Sequence, residues 1–367
     1  MNERERLMRT LTCTGPDRPS LGDYFAFDST RQRWEREGLP QGLNNDSLFD
    51  YFGMDHINIW GRDKLPILDG PLPALAWETI EDTSEYVVRK AGHAVIRALK
   101  NEPPPAMPQF LSYEVTDRAS WADYKSRLDP DTPGRLPADL QAIGRASSGR
   151  TTPLGVWLGG TYGLIRNWMG VENASYLFYD DPALVEEMME HLTFFYRTLA
   201  QRIFAAGVQL DWVMFWEDMA FRNGSLLSPE MYARYCMPFY RTMVDLLHRH
   251  GVKVIALDSD GDIHQLIPLW LEAGINVMHP MEVAAGMDVR ETRRRYGSQV
   301  TFLGGIDKRA VARGREAIDA EVIPKMRELK DSGGGFIVQC DHGIPPDISL
   351  DNYRYFRDLV RRLGEQE

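Results

Sequence analysis

Three acidic residues end an apolar run near the middle of the chain. The run Val252–Leu257 reads VKVIAL, and Asp258, Asp260 and Asp262 follow it in the stretch DSDGD. Because side chains alternate along a strand, Asp258 and Asp260 are expected to project to the same side. Two carboxylates that close together either raise one pKa, which suits proton transfer, or share a cation. The plainer interpretation is a turn at Asp260-Gly261 with Asp262 as the cap of the next helix.

Chemically active residues follow other apolar runs in the same way. The carboxyl ends of the strands of an α/β barrel meet on one face, so these residues are expected to converge. Each has an ordinary alternative, such as a helix cap, an ion pair or a core histidine, and their recurrence at successive strand ends favours a site. The candidates are Trp157 with Tyr162, Trp216-Glu217-Asp218, Asp258 with Asp260, His279 with Glu282, Gly304-Gly305 with Asp307-Lys308, and Cys340-Asp341-His342.

Four of these side chains would form an oxygen-rich metal site with one imidazole. Asp258, Asp260, Glu282 and His342 together suit a hard or borderline divalent cation, zinc included, but not a zinc site of the thiolate type. Clustered carboxylates also serve proton transfer without a metal. A metal site and a proton-transfer site therefore both stay open.

The segment after residue 210 offers a second carboxylate pair. Glu217 or Asp218 is expected to act as proton donor or substrate anchor, because Trp216 beside them would lower the local dielectric and raise a carboxyl pKa. Aromatic side chains are expected to form a flat or apolar substrate wall, unless they belong to the core instead. The residues expected in this wall are Trp157, Tyr162, Trp168 and Trp216.

Composition is that of a soluble globular protein. The chain has 367 residues with 43% hydrophobic and 26% charged residues, and no apolar run approaches the ~18 residues of a membrane span. The charged start MNERERLMRTL lacks an apolar signal core, which predicts a cytoplasmic location. The net charge of -11 argues against nucleic acid as a partner. Cys13, Cys236 and Cys340 are too widely spaced to predict a structural disulfide.

Strands that alternate with amphipathic helices must position these residues. This alternation predicts βα units around a parallel sheet, and the number of units favours a closed (β/α)8 TIM barrel. We expect one domain over residues 1–367, with residues 151–367 as its core units. Strands are predicted at about 153–158, 211–216, 252–257, 275–279, 300–303 and 335–339, and helices at about 182–206, 229–250, 262–273, 288–296, 314–331 and 349–364.

Residues 1–150 are expected to form an elaborated amino-terminal part. A β-hairpin insertion is predicted within it at Ala76–Ala98, where two alternating runs flank a turn at Lys90-Ala91-Gly92. The other predicted elements are a helix over the first 15 residues or so, a first barrel strand at Pro19–Phe27, a helix at Arg31–Gly38, a short element at Tyr51–Ile59, an extended segment at Phe110–Val115 and a helix at Trp121–Leu128.

Four segments resemble the uroporphyrinogen decarboxylase-like superfamily, which includes uroporphyrinogen decarboxylases and corrinoid methyltransferases. The resemblance implies a (β/α)8 barrel with its site at the carboxyl ends of the strands, in agreement with the pattern above. The segments are WEDMAFRNGSLLSPEMYARYCMPFY, LDSDGDIHQLIPLWLEAGINVMHPMEVAAGMDV, FLGGIDKRAV and DHGIPPDISLDNYRYF.

The superfamily contains two kinds of enzyme, decarboxylases and methyltransferases, and their site residues differ. Porphyrinogen decarboxylases carry an Arg-Gln-Ala-Gly-Arg segment near the amino terminus, whereas this chain has TRQRW at residues 30–34 and lacks the glycine-arginine half. The methyltransferases bind zinc through a His-x-Cys pair that matches positions 258 and 260 and a Cys that matches position 342. Asp258, Asp260 and His342 stand there, and this change of ligand type implies a harder site than one that activates a thiol.

The resemblance therefore implies transfer of an oxygen-linked methyl group, for example from a methoxy-aromatic compound. The expected enzyme passes this methyl group to a corrinoid held by a partner protein, with Asp260 and His342 as catalytic residues beside the carboxylate pair named above. A decarboxylase of a smaller acid is an alternative, which would need a cationic anchor. The candidates for that anchor are Arg31, Arg33, Arg166 and Lys308. A non-catalytic binding barrel also stays open, and so does the oligomeric state.

Overall fold

The computed structural model describes residues 1–55, 64–101 and 107–365. In chain order the strands are β1 (Trp77–Asp82), β2 (Tyr86–Ala91), β3 (Ala94–Leu99), β4 (Gln109–Tyr113), β5 (Gly155–Trp157), β6 (Trp212–Trp216), β7 (Ala220–Phe221), β8 (Gly224–Ser225), β9 (Val254–Asp258), β10 (Val277–His279), β11 (Thr301–Ile306) and β12 (Phe336–Cys340). The α-helices are α1 (Glu3–Leu11), α2 (Asp28–Arg36), α3 (Asn45–Tyr51), α4 (Arg118–Ser126), α5 (Leu140–Ser147), α6 (Tyr162–Met169), α7 (Val171–Asp180), α8 (Pro182–Ala205), α9 (Pro229–Tyr235), α10 (Met237–Arg249), α11 (Ile267–Ala273), α12 (Val289–Tyr296), α13 (Lys308–Arg313), α14 (Arg315–Asp331) and α15 (Leu350–Glu365).

A parallel sheet forms the centre of the fold. Its six strands lie in the order β12-β11-β10-β9-β6-β5. One further segment bridges each edge in parallel, Ala26 beside Ile344 and Lys64 beside Gly155. Eight parallel segments thus follow one another in space, and strand and helix alternate along the chain. The fold is a TIM barrel, as the sequence predicts.

Alternation along the strands separates the barrel interior from the layer beneath the helices. Trp212 and Met214 of β6 and Val254 and Ala256 of β9 belong to one interior cluster, which also contains Leu7 and Leu11 of α1. Helix α1 therefore covers the amino-terminal end of the strands. The same alternation turns the next residues of these strands, Trp216 and Asp258, into the barrel at its carboxyl end.

The predicted strands after residue 150 agree with the structure, whereas several helix boundaries differ. The helix predicted at 229–250 is broken at Cys236 into α9 and α10, each with a proline in its first turn, where a missing backbone N–H costs nothing. The helix predicted at 262–273 begins only at Ile267. Helices α6, α7 and α13 were not predicted.

The amino-terminal part departs further from prediction. The strand predicted at Pro19–Phe27 is reduced to the single bridge at Ala26. The predicted hairpin is part of a four-stranded antiparallel sheet, β1-β2-β3-β4, because the expected extended segment after residue 109 adds β4 to its edge. The β2–β3 turn lies at Gly92-His93, one residue later than expected. Of the element predicted at Tyr51–Ile59, Tyr51 ends α3, and residues 56–59 lie outside the described ranges.

Candidate active site at the carboxyl end of the barrel

The clearest pair of reactive groups at the open end of the barrel is Asp260 with His342. The His342 Nε2 lies 3.6 Å from the Asp260 Oδ2. Burial alone would lower the pKa of His342, but the Asp260 carboxylate and the charge of Asp341 hold it above its ordinary value. Burial alone would raise the pKa of Asp260, but its interaction with His342 and the charge of Lys308 keep it below the ordinary value. Each of the two groups therefore favours the charged form of the other.

Aromatic rings hold the His342 imidazole in place. Tyr24 stacks on His342 with 5.6 Å between ring centroids and 7° between planes. Tyr24 also stacks on the buried His279, at 4.7 Å and 15°. The Phe27 ring lies 6.3 Å from His342. The stretch that bridges to the last barrel strand thus supplies a wall that fixes the imidazole orientation.

Asp258 lies deeper in the barrel than Asp260. It ends β9, faces the interior beside Trp216 and His279 in the neighbouring strands, and is only 3% exposed. Burial raises the pKa of Asp258 well above its ordinary value, and the charges of Asp260 and Asp218 raise it further. A carboxyl group in this position holds a proton where a solvated one would lose it.

Asp218 faces the same centre from the end of β6. Its backbone has a φ of 44°, a left-handed conformation that non-glycine residues rarely adopt. Its carboxylate pairs with the Arg166 guanidinium, and that guanidinium lies 5.7 Å from the centre of the Trp216 ring. The charge of Asp218 also contributes to the raised pKa of Tyr24. The strained turn therefore directs this carboxylate to the mouth of the barrel.

The buried Asp341 ties the loops on the other side of the mouth together. Its two carboxylate oxygens accept hydrogen bonds from the backbone N–H groups of Val283 at 2.9 Å and Lys308 at 3.2 Å. The Lys308 Nζ lies 3.5 Å from the same carboxylate. Glu282 accepts a 2.9 Å hydrogen bond from the Gly261 N–H. These contacts fix three neighbouring loops around Asp260 and His342.

The predicted metal ligands are only partly brought together. Asp260 and His342 contact each other, whereas one Glu282 oxygen is engaged by the Gly261 N–H and Asp258 lies below the pair. Within residues 1–55, 64–101 and 107–365, no three His, Cys, Asp or Glu side chains form a group that could hold a metal ion. The arrangement described does not fit a metal ion, and we assign no step to one. Metal binding stays a prediction.

Glu217 does not line the mouth, contrary to the expectation from the sequence. It is fully buried and accepts hydrogen bonds from the backbone N–H groups of Thr161 and Gly163, each at 2.9 Å. The Tyr240 hydroxyl and the Thr161 Oγ1 donate to it as well. Its side chain leaves the strand on the helix side because these donors surround it there. Glu217 is a positioning residue that joins β6 to the start of α6.

Three predicted substrate contacts also lie elsewhere. Tyr162 is fully buried and its ring packs 6.0 Å from that of Phe178. Trp168 is 3% exposed and stacks on Trp121 with centroids 5.7 Å apart, because the insertion and α4 cover α6. Arg31 donates to the Ala26 carbonyl and pairs with Asp28 of its own helix. These side chains serve the core and the first βα connection.

Trp157 and Trp216 are each half-buried, and each has a cation near its ring. Their role as a substrate wall stays a prediction. The Lys64 Nζ lies 5.6 Å from the centre of the Trp157 ring, and the Arg166 guanidinium lies 5.7 Å from the centre of the Trp216 ring. Sequence reasoning missed Tyr24, for which an aromatic residue in the predicted first strand was the available signal.

A TIM barrel with a carboxylate and imidazole pair at the carboxyl ends of its strands is built as a barrel enzyme is. The chain belongs to the uroporphyrinogen decarboxylase (URO-D) family, whose model matches residues 99–363. No helix within the described ranges has the length and apolar character needed to cross a membrane.

Curated relatives of the chain are named uroporphyrinogen decarboxylase. One from Pseudomonas syringae pv. syringae (strain B728a) is 24% identical over 284 residues, 72% of this chain and 76% of the relative. One from Colwellia psychrerythraea (strain 34H / ATCC BAA-681) is 25% identical over 39% of this chain, and the match spans only 40% of that relative. A solved methyltransferase from Methanosarcina mazei shares the fold with a TM-score of 0.62 at 14% identity, over 99% of both chains.

Proposed function

We propose that the chain is a methyltransferase that removes a methyl group from an oxygen atom of a small molecule and passes it to a corrinoid on a partner protein. The observation that carries this proposal is the His342 imidazole, placed against Asp260 and stacked on Tyr24 at the open end of the barrel. Breaking a carbon–oxygen bond leaves negative charge on oxygen, and a positioned acid that protonates this oxygen lowers the barrier.

His342 is suited to be that acid. The Asp260 carboxylate stabilises the protonated imidazole, and the Tyr24 stack keeps the ring from turning. As the ether bond breaks, a proton of the His342 imidazolium passes to the leaving oxygen, so that the demethylated product leaves as an alcohol or phenol. Because burial raises the pKa of Asp258, its carboxyl group favours the neutral form beside the charged Asp260. A reduced corrinoid would supply the nucleophile that accepts the methyl group.

The charges at the mouth also favour an ether over a compound with several carboxylates. The carboxylates of Asp218 and Asp260 face one centre beside the buried Asp258, whereas the cations Arg166 and Lys308 already pair with Asp218 and Asp341. These carboxylates would repel a polyanion, and both of these cations are already paired. This distribution supports neutral or singly charged methyl donors.

Decarboxylation is the second candidate, and the name of the curated relatives favours it. An imidazolium at the position of His342 could also protonate the carbon that loses carbon dioxide. The two reactions differ in product, because only decarboxylation releases carbon dioxide.

The test mixes the protein with a reduced corrinoid carrier and a panel of methoxylated donors and follows methylation of the carrier by absorbance. His342→Gln should lower turnover at least about a hundredfold, the contribution expected of a general acid. The exposed His248 on α10 serves as a control, and His248→Gln should leave turnover unchanged. Equal turnover in the wild type and His342→Gln would remove His342 from the mechanism.

A further inference from the structure

A groove lies on the outer face of the barrel, between the long helix α8 and helices α9 and α10. Its volume is about 710 Å³, and the buried side chains of Met189, Tyr235 and Phe239 contribute to its lining. Phe194 of α8 lines the same groove and is 55% exposed. An exposed aromatic ring in a groove with an apolar lining is typical of a surface that binds another protein chain.

The residues of α8 along this groove form one stripe, because they recur every three or four positions. The α8 stripe consists of Glu186, Glu190, Thr193, Phe194, Arg197 and Gln201. Glu190 and Arg197 lie on either side of Phe194, about 10.5 Å apart along the helix axis, which is too far for an ion pair within one helix. In the part of the chain that the structure describes, neither of these two charges has an ion-pair partner, whereas the exposed Arg241 of α10 pairs with Glu272.

The order of charges along the α8 stripe makes it complementary to a second stripe that runs in the opposite direction. With a two-fold axis between Thr193 and Phe194, Glu190 of one copy faces Arg197 of the other, because the two residues lie equally far from the axis. The symmetry repeats this contact, so that two ion pairs form. A parallel arrangement would instead place like charges opposite each other.

We propose that two copies of the chain form a dimer through their α8 stripes, with the Phe194 ring of each copy in the groove of the other. The two rings supply apolar surface at the centre of the interface, and the two ion pairs fix the direction of the helices. Helix α8 belongs to the outer layer, between β5 and β6 in the chain, so the dimer leaves the carboxyl end of each barrel open. The proposal does not depend on the reaction that the barrel catalyses.

Sedimentation equilibrium of the full chain tests the dimer. The wild type should have twice the 42.0 kDa mass of one chain at micromolar concentration. Arg197→Glu and Glu190→Arg each place two like-charged pairs across the interface, so either variant alone should be a monomer, with a dissociation constant at least about a hundredfold higher. An equimolar mixture of the two variants should form dimers again, because the copy with two acidic side chains then faces the copy with two arginines.

Arg327 provides the matched control, because it is exposed on α14, between β11 and β12 in the chain and away from α8 around the barrel. Arg327→Glu changes the net charge as Arg197→Glu does and should leave the dimer intact. A monomeric wild type would overturn the proposal and leave the groove to a different partner. A dimer that persists in both single variants, or a mixture of them that stays monomeric, would overturn it as well.

Discussion

Glu217 should be a stability residue, and its removal is expected to be costly. Glu217→Ala leaves the backbone N–H groups of Thr161 and Gly163 buried without their acceptor. Each orphaned donor costs about 1–3 kcal/mol, so the free energy of unfolding should fall by about 2–6 kcal/mol. Glu217→Gln keeps the volume and one acceptor oxygen but turns an amide N–H2 toward a donor. Its cost should be about 1–3 kcal/mol.

The pH dependence of this loss has a defined sign. Burial raises the folded pKa of Glu217 above the ordinary value of 4.5. A raised carboxyl pKa contributes stability that is fully present below pH 4.5 and is lost as the pH rises through the folded pKa. The unfolding free energy of the wild type relative to Glu217→Gln should therefore decline as the pH increases over that window.

Urea unfolding followed by tryptophan fluorescence measures these differences. Glu190 is an exposed carboxylate on α8, and Glu190→Gln should change stability by no more than about 0.5 kcal/mol. Turnover per folded molecule of Glu217→Gln should stay near that of the wild type. A Glu217→Ala variant destabilised by less than about 1 kcal/mol, or a fully stable Glu217→Gln variant without turnover, would refute the structural role and restore the catalytic one.

Three further predictions concern the mouth and its supports. Turnover should fall as the pH rises through the raised pKa of His342, and Asp260→Asn should move this fall to lower pH in kcat/KM profiles; an unmoved profile would contradict the pairing. Gly304→Ala should lower the unfolding free energy by more than about 3 kcal/mol, because its Cβ would lie 2.1 Å from a backbone carbonyl oxygen. Gly286 is the control: it has a similar φ but open space around it, so Gly286→Ala should cost about 1 kcal/mol. Elemental analysis tests the metal predicted from the sequence: a divalent ion that the Asp258/Asp260 double alanine variant loses would support that prediction against the geometry described above, and full occupancy in the variant would place the ion elsewhere.

The barrel was predictable because its signals are local. Each apolar run, such as Val254–Leu257, is followed by an amphipathic helix. Such a run predicts a strand, and its continuous apolar character predicts that both faces of the strand are buried. The first strand was not predicted correctly. Of the stretch Pro19–Phe27, only Ala26 pairs, and its partner Ile344 lies near the other end of the chain. The insertion was predicted in part. The hairpin and the extended segment that becomes β4 were both expected, but the prolines that separate them in the sequence gave no sign that they form one sheet.

The site was predictable in position but not in detail. Asp260 and His342 were named together because strand ends converge, and the structure brings them to 3.6 Å. Glu217 and Asp218 are indistinguishable in sequence, and only the left-handed turn at Asp218 and the donors at the start of α6 separate their roles. The Tyr24 stack joins residues over 300 positions apart, which no local pattern reports.

The most direct measurement of the central claim is a product balance on a methoxylated aromatic acid, with the protein and a reduced corrinoid carrier. The account predicts one phenol formed for each carrier methylated and no carbon dioxide. Release of carbon dioxide with the methoxy group intact and no methylated carrier would contradict it and assign the barrel to decarboxylation.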